Sequence, residues 1–134
     1  MSGSRGLIDT SVAVELGKAE IAAASTQLAI SSLTVAELAG GPHAAYDEIE
    51  RRRRQRHLRQ IEACIGALPF DSECAQAYGY IYAAVQGIGR KPRGAYAVDL
   101  MIAATALAHD LPLYTLNSKD LRGLEDLIEI VDIG

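Results

Sequence analysis

Residues 97–109 read AVDLMIAATALAH, an alanine-rich apolar run with helical character that contains a single acid, Asp99. On a helical wheel Asp99 shares its stripe with Ile102, Ala103 and Ala106, so it heads the face that packs against the rest of the protein. Burying a carboxylate on such a face costs free energy unless a cation meets it. The stretch therefore predicts a packed helix whose acid faces a cation.

Strands and helices alternate on either side of this run. Short apolar runs predict five strands, at Gly6–Asp9, Leu28–Ser31, Ala67–Phe70, Leu113–Leu116 and Ile128–Asp132. Amphipathic or alanine-rich runs predict helices at Val12–Lys18, Leu33–Gly40, Ala44–Ile65, Cys74–Ile88 and Ala97–His109. Connections of this length join parallel strands, so we predict an α/β fold with a parallel sheet of four to five strands covered on both faces.

The composition sets broad limits on the class of protein. At 134 residues we expect a single domain over residues 1–134, long enough to bury a sizeable core. The net charge of −4 and the pI near 5.3 argue weakly against bulk binding to nucleic acid. The charge is nevertheless uneven, because six of the ten arginines lie between Arg51 and Arg59.

Cysteine use and the N-terminal sequence bear on the compartment. Cys64 and Cys74 lack the spacing of a metal or redox pair, and we interpret both as small buried hydrophobic residues of a reducing cytoplasm. No apolar segment of a secretory signal follows the polar N-terminal residues, and no run approaches the roughly 20 apolar residues of a membrane span. We expect a cytoplasmic protein without a membrane partner; export by a route without such a signal stays open.

Polar side chains stand where several of the predicted elements begin or end. Asp9 ends the first strand, Glu37 lies in the helix entered from the second, and Asn117 and Asp120 follow the fourth. The functional crevice of an open parallel sheet lies outside the carboxyl ends of its strands. If Asp99 also points to that edge, which the pattern leaves open, four carboxylates and one amide converge there.

Such a cluster points to metal chemistry. Carboxylates this close raise one another's pKa and do not all stay ionised without a cation. Oxygen ligands without paired His or Cys favour Mg²⁺ or Mn²⁺ over zinc, and these ions support phosphodiester hydrolysis. The pattern therefore predicts a Mg²⁺ or Mn²⁺ site held by Asp9, Glu37, Asp99 and Asp120, with Asn117 beside them.

Each of these side chains also has an ordinary structural interpretation. Asp9 can cap a helix, and Glu37 can be a solvated helix residue. Asn117 and Asp120 can cap and charge a short helical turn, and Asp99 can balance a helix dipole. The joint pattern is less easily explained in this way.

Four segments of the chain, taken in order, carry a recognisable motif series. They are LIDTS at 7–11, SSLTVAEL at 31–38, DLMIAATALA at 99–108 and LYTLNSKDL at 113–121. The series resembles that of PIN-domain ribonucleases, and above all the VapC family of bacterial toxins from type II toxin–antitoxin systems. The resemblance spans nearly the whole chain. It implies a three-layer α/β/α domain that is a Mg²⁺- or Mn²⁺-dependent endoribonuclease.

The resemblance also implies partners and roles. A VapC-like toxin would cut RNA, form a homodimer and bind a cognate antitoxin that occludes its site. The family's acidic quartet corresponds to Asp9, Glu37, Asp99 and Asp120. A polar residue often found near the quartet matches Asn117, and hydroxyls that support the acids match Thr10 and Thr115.

Two basic segments are candidates for contact with RNA. Arg90, Lys91 and Arg93 lie between glycines shortly before the alanine-rich run, so their backbone can approach a phosphate closely. We favour this loop as the RNA-binding segment. The run Arg51–Arg59 can follow phosphates, bind an acidic antitoxin segment or form a solvated helix face.

Two other functions remain as alternatives. One is a catalytically silent PIN-like module that binds RNA or a protein partner. The other is a phosphoacceptor receiver domain, which is also α/β with clustered acids. A receiver domain needs an acidic pair after the first strand, but here Thr10 follows Asp9. It also needs an acid at the end of a middle strand, and only Asp71 is available there.

Overall fold

The five predicted strands form one parallel sheet in the computed structural model, which describes residues 5–17, 20–21 and 27–134. The strands are β1 (Gly6–Ile8), β2 (Leu28–Ser31), β3 (Gly66–Leu68), β4 (Leu113–Thr115) and β5 (Ile130–Asp132). Their spatial order is β3-β2-β1-β4-β5, and every neighbouring pair is parallel. All carboxyl ends therefore meet at one edge of the sheet.

Helices connect the strands. They are α1 (Thr10–Ala13), α2 (Ser32–Gly40), α3 (Glu48–Cys64), α4 (Ser72–Gly87) and α5 (Gly94–Ala108), with short 3₁₀ helices at Gly41–Ala44 and Ser118–Leu121. Capping side chains fix several starts, as where Ser31 accepts from Leu33 N at 3.1 Å and Asp71 from Cys74 N at 3.1 Å. Within the described ranges, no helix combines the length and apolar character needed to cross a bilayer.

The core is divided by the sheet into two layers. Leu7 and Ala29 belong to one buried cluster, and the next residues in the same strands, Ile8 and Ile30, belong to the other. This alternation follows from the period of two in a strand. The first cluster packs under α4 and α5, and the second under α1, α2 and α3. The predicted three-layer α/β/α architecture is confirmed.

Two helices in the first half of the chain were predicted with the wrong boundaries. The helix expected at Val12–Lys18 already begins at Thr10, because the Asp9 carboxylate accepts from Val12 N, and it ends at Ala13. Lys18 lies outside the described residues. The helix expected at Ala44–Ile65 begins only at Glu48, where Asp47 caps it by accepting from Glu50 N at 2.8 Å.

The alanine-rich helix also differs from its predicted start. It begins at Gly94 instead of Ala97, because the carbonyl of Arg93 already accepts from Ala97 N at 3.3 Å. Asp99 therefore lies in the second turn of α5 and not at its front. The apolar stripe of α4 is shorter than expected, since the helix ends at Gly87 and Ile88 is 49% exposed.

Candidate active site

Four acids project toward the carboxyl edge of the sheet from four different elements. Asp9 directly follows β1, and Glu37 lies in the second turn of α2, which leaves β2. Asp120 belongs to the 3₁₀ helix that follows β4. Asp99 joins them because α5 runs back across the sheet before β4, so its first turns lie at this same edge.

The other three acids and partial burial both change the pKa of Asp99. Burial raises the pKa of its carboxyl most, and the negative charges of Glu37, Asp9 and Asp120 raise it further, to about 6. Every charged neighbour that acts on Asp99 is itself an acid. Asp99 thus lies in a partly buried concentration of negative charge, and no cationic side chain among the described residues lowers its pKa.

Asp9 is held by one of its two oxygens. Its Oδ1 accepts from Ser11 Oγ at 2.6 Å and from Val12 N at 3.1 Å. The Ser11 oxygen in turn accepts from Leu116 N at 3.2 Å, which ties the ends of β1 and β4 together. The helix-cap interpretation of Asp9 is therefore correct, but it uses only one oxygen and leaves the other for a ligand.

A chain of hydroxyl groups holds Glu37. Thr10 Oγ1 lies 2.6 Å from Glu37 Oε1 and 3.0 Å from Thr34 Oγ1. Since a carboxylate only accepts and Thr10 has a single hydroxyl proton, Thr10 donates to Glu37 and receives the proton of Thr34. Thr34 is fully buried, so the chain runs from the protein interior to an otherwise exposed acid.

The donor set fits a hard divalent cation. Among the described residues, no protein group donates a hydrogen bond to Asp9 Oδ2, to Glu37 Oε2 or to the carboxyls of Asp99 and Asp120. All of these ligands are oxygens, as Mg²⁺ and Mn²⁺ prefer. In the same part of the chain, no three acidic, His or Cys side chains are already arranged to coordinate one ion directly. Few direct ligands and several retained waters are usual for Mg²⁺.

Thr115 ends β4, and Asn117 lies in the loop that follows it. Asn117 is exposed, and its side chain makes no capping bond to the 3₁₀ helix. Its backbone carbonyl accepts from Asp120 N at 3.0 Å. Thr115 is buried and accepts from Asn117 N at 3.0 Å, so it supports the loop backbone and makes no bond to an acid in the described structure.

Asp132 anchors the same loop from β5. Its Oδ2 accepts from Ser118 Oγ at 2.5 Å and from Ser118 N at 3.2 Å, and these bonds lower the pKa of its carboxyl. Sequence reasoning missed this contact, and it also missed Ser11 and Thr34. Thr34 could have been found, because it stands one helical turn before Glu37.

The loop predicted to bind RNA lies beside the acids. Arg90 donates from Nη1 to the Asp120 carbonyl at 3.3 Å, and its guanidinium carbon lies 4.1 Å from the centroid of the Tyr96 ring. Lys91 and Arg93 are exposed in the segment between α4 and α5. Within the part of the chain that the structure describes, Arg90 alone of the three makes a hydrogen bond to a residue of the acidic site.

The arginine run of α3 is engaged mainly in ion pairs. Arg53 and Arg54 contact the Glu50 carboxylate at 2.6 and 2.8 Å, and hydrogen bonds from both lower the pKa of Glu50 to about 2. These arginines line a cleft of about 340 Å³ together with Thr10 and Glu37. Across this cleft, α3 and α1 are joined where a ring nitrogen of His57 lies 2.7 Å from the Ala13 carbonyl.

The receiver alternative depended on Asp71, which the structure places elsewhere. Asp71 follows the edge strand β3 and caps α4 by accepting from Cys74 N. It is not among the acids that act on Asp99. Its role is therefore that of a helix cap.

The parallel sheet and the acids at its carboxyl edge define a PIN-like domain, and comparison with known proteins agrees. The model of the PIN domain family matches residues 6–127. Over 126 residues the chain is 33% identical to Ribonuclease VapC of Rickettsia bellii, covering 90% of this chain and 91% of that protein. The chain belongs to the PIN domain family, among the proteins related to VapC.

Two further comparisons extend this relationship. Ribonuclease VapC1 of Rickettsia felis is 29% identical over 125 residues, with 90% of this chain and 91% of that protein covered. The crystal structure of VapBC-5 from Mycobacterium tuberculosis, a member of the VapBC family of toxin–antitoxin systems, superposes with a TM-score of 0.75 at 28% identity. That match covers 98% of this chain and 100% of the other.

Proposed function

We propose that this protein is a Mg²⁺- or Mn²⁺-dependent endoribonuclease and the toxin of a toxin–antitoxin system. The observation that carries the proposal is Asp99, which is partly buried near Glu37, Asp9 and Asp120, while no cationic side chain among the described residues lowers its pKa. Such an arrangement is costly unless a cation occupies it. The relatives named Ribonuclease VapC supply the substrate class.

In this proposal Asp9 and Asp99 are the principal metal ligands. Glu37 and Asp120 complete the negative charge, either directly or through water. When bound, the cation activates a water molecule and offsets the charge of the phosphodiester. Asn117, exposed at the same edge, is placed to contact RNA beside the acids.

The residues around the acids hold them in position. Ser11 fixes one oxygen of Asp9 and ties it to the strand that precedes Asp120. Thr10 fixes one oxygen of Glu37. Asp9 and Glu37 each keep a free oxygen while neighbouring groups hold the other, so both side chains are oriented before an ion binds. Such support commonly tunes metal affinity.

A catalytically silent binding module is the second candidate. Its acids would have no reason to remain grouped without a cation, since the grouping raises the pKa of Asp99 and costs stability. The supported geometry of Asp9 and Glu37 therefore favours the enzyme.

We further propose a cognate antitoxin as partner. The structural relative from Mycobacterium tuberculosis is described as a member of a toxin–antitoxin family. Co-expression with the product of a neighbouring small gene should yield a stable complex in which RNA cleavage is inhibited. Size-exclusion chromatography of the free protein would test the expected homodimer at the same time.

The decisive experiment measures cleavage of single-stranded RNA by purified protein with Mg²⁺ or Mn²⁺. We expect cleavage by the wild type and none by Asp9→Asn or Asp99→Asn, with unchanged far-UV circular dichroism. Asp126→Asn is the matched control, because Asp126 is exposed and is not among the acids that act on Asp99. Full activity of either site variant, or undiminished activity in EDTA, would refute the metal mechanism.

A further inference from the structure

A second cleft lies beside the segment that joins α4 to α5 and shares no residue with the cleft of the α3 arginines. It has a volume of about 390 Å³ and is lined by Ile88, Arg90, Arg122, Gly123 and Glu125. Arg90 links it to the acidic site, since its Nη1 donates to the Asp120 carbonyl. Arg90 therefore contacts the backbone of one of the four acids and also lines this cleft.

The two arginines of this cleft differ from those of α3 in their charge balance. Arg51, Arg52, Arg53 and Arg54 all contact Glu48 or Glu50 within 4 Å. Neither Arg90 nor Arg122 has an ion pair within that distance among the described residues. Glu125 lines the same cleft, but its Oε1 accepts from Gly123 N at 2.9 Å. The cleft thus presents two guanidinium groups whose charge is not neutralised by a direct partner.

Tyr96 holds one of these guanidinium groups in place. The guanidinium of Arg90 stacks over its ring at 4.1 Å, which limits the rotamers of a long side chain. The Tyr96 hydroxyl is buried and has no hydrogen-bond partner among the described residues. The charges of Arg90, Arg122 and Asp120 all act on the pKa of this hydroxyl, so the three groups lie in its neighbourhood.

A planar, fixed guanidinium with unused N–H donors suits a phosphate group, which accepts two parallel hydrogen bonds. Arg90 spends one donor on the Asp120 carbonyl and keeps the others. A polyanion that approaches four carboxylates also needs positive charge nearby to offset their repulsion. Arg90 and Arg122 provide that charge immediately beside Asp120.

We propose that Arg90 and Arg122 form a phosphate-binding subsite that holds the RNA phosphate next to the one cleaved. This inference rests on the proposed ribonuclease function and deepens it, because it fixes the direction in which the RNA backbone leaves the acids. The backbone passes over the Arg90–Arg122 cleft, and the ion-paired arginines of α3 do not hold it.

The test uses an Asp9→Asn parent, so that binding is measured without cleavage. Affinity for a single-stranded RNA is measured against salt concentration for the parent, Arg122→Gln, Arg122→Lys and Arg90→Gln. Arg56→Gln is the control, since Arg56 is exposed on α3 and lines neither cleft. Thermal melting of each variant identifies any that is unfolded. Because Arg122 is exposed, its variants are expected to fold.

Loss of one phosphate contact should reduce the slope of log K against log salt by about one unit. We expect this for Arg122→Gln and Arg90→Gln, with affinity lowered roughly tenfold, as for the loss of a hydrogen bond to a charged group. Arg122→Lys should keep most of the slope. Slopes equal to the parent's in both Gln variants would overturn the subsite, while cleavage by the wild type would still support the ribonuclease.

A second measurement keeps the two proposals separable. Inorganic phosphate is titrated into labelled wild-type protein while the arginine Nε–H signals are followed by NMR. If the wild type cleaves no RNA, shifts confined to Arg90 and Arg122 would still support the subsite. Absence of such shifts in that case would overturn it.

Discussion

Thr10 donates a 2.6 Å hydrogen bond to Glu37, and this bond joins the first residue of α1 to the second turn of α2. Glu37 is otherwise exposed, with three rotatable side-chain bonds that solvent would leave free. Thr10 is itself fixed by the buried Thr34 hydroxyl at 3.0 Å. The orientation of an exposed acid is therefore controlled from the core.

Thr34→Val should lower the affinity for the metal ion, although Thr34 bonds to Thr10 and not to an acid. The variant keeps the shape of the buried side chain but removes the proton that Thr10 receives, so Thr10 and Glu37 become less restrained. Loss of such supporting bonds typically costs about 10- to 100-fold in metal affinity or activity. Calorimetric titration with Mn²⁺ measures the affinity directly.

Ser72→Ala is the control for that experiment, since Ser72 is an exposed hydroxyl residue at the start of α4. It should bind Mn²⁺ like the wild type. Equal Mn²⁺ affinity and equal cleavage rate in Thr34→Val would show that the hydroxyl chain is not needed to position Glu37.

Asp99→Asn should stabilise the metal-free protein at neutral pH. The folded protein holds the Asp99 proton up to a pKa of about 6, whereas an unfolded chain releases it near 4, so stability is lost as pH rises through this window. Above pH 6 the ionised carboxyl costs about 2 kcal/mol, after allowing for partial solvent exposure. Asn avoids that cost, and thermal melting in EDTA measures the gain.

The gain from Asp99→Asn has two internal checks. It should vanish below pH 4, where the wild-type carboxyl is protonated in both states, and it should shrink in Mg²⁺, which stabilises the native wild type. A variant that melts below the wild type in EDTA at pH 7 would mean that Asp99 makes a stabilising contact instead.

Metal affinity should fall as pH decreases through 6. An ion that binds Asp99 must displace its proton, so affinity drops by up to tenfold per pH unit below the raised pKa of this carboxyl. In Mn²⁺ titrations between pH 5 and 8, a plot of log affinity against pH should bend near pH 6. In Asp120→Asn, which removes one of the charges that raise the pKa of Asp99, the bend should move to lower pH.

Asp132→Asn should loosen the loop that carries Asp120. The carboxylate of Asp132 holds Ser118 by its backbone and its side chain, and an amide is a weaker acceptor. Amide hydrogen exchange at Ser118 should accelerate, and metal affinity should fall several-fold. Exchange at Cys74, capped by Asp71 on the other end of the sheet, should stay unchanged.

The strands and the four acids could be predicted because their signals are local. A short apolar run such as Leu7 and Ile8 predicts a buried strand, and the polar residue that follows it marks the edge of the sheet. Parallel pairing then brings the ends together wherever they stand in the sequence. Asp9 follows from this rule directly, while Glu37 and Asp120 lie on the short elements that leave β2 and β4 at the same edge.

Other features depend on contacts that no local pattern carries. Asp132 and Ser118 are 14 residues apart on different elements, so their bond is visible only in the folded chain. The helix start at Gly94 was missed because glycine suggests a loop, whereas the Arg93 carbonyl already accepts from Ala97 N. The partial burial of Asp99 likewise comes from packing around α5.

The strand order determines when a newly made chain can complete the acidic site. The first three strands to be synthesised, β1, β2 and β3, are neighbours in the sheet and can pair early. At that stage the chain carries Asp9 and Glu37 but neither Asp99 nor Asp120. Only when β4 docks beside β1 does the fourth acid arrive, so the acidic site is complete only after most of the chain has been translated.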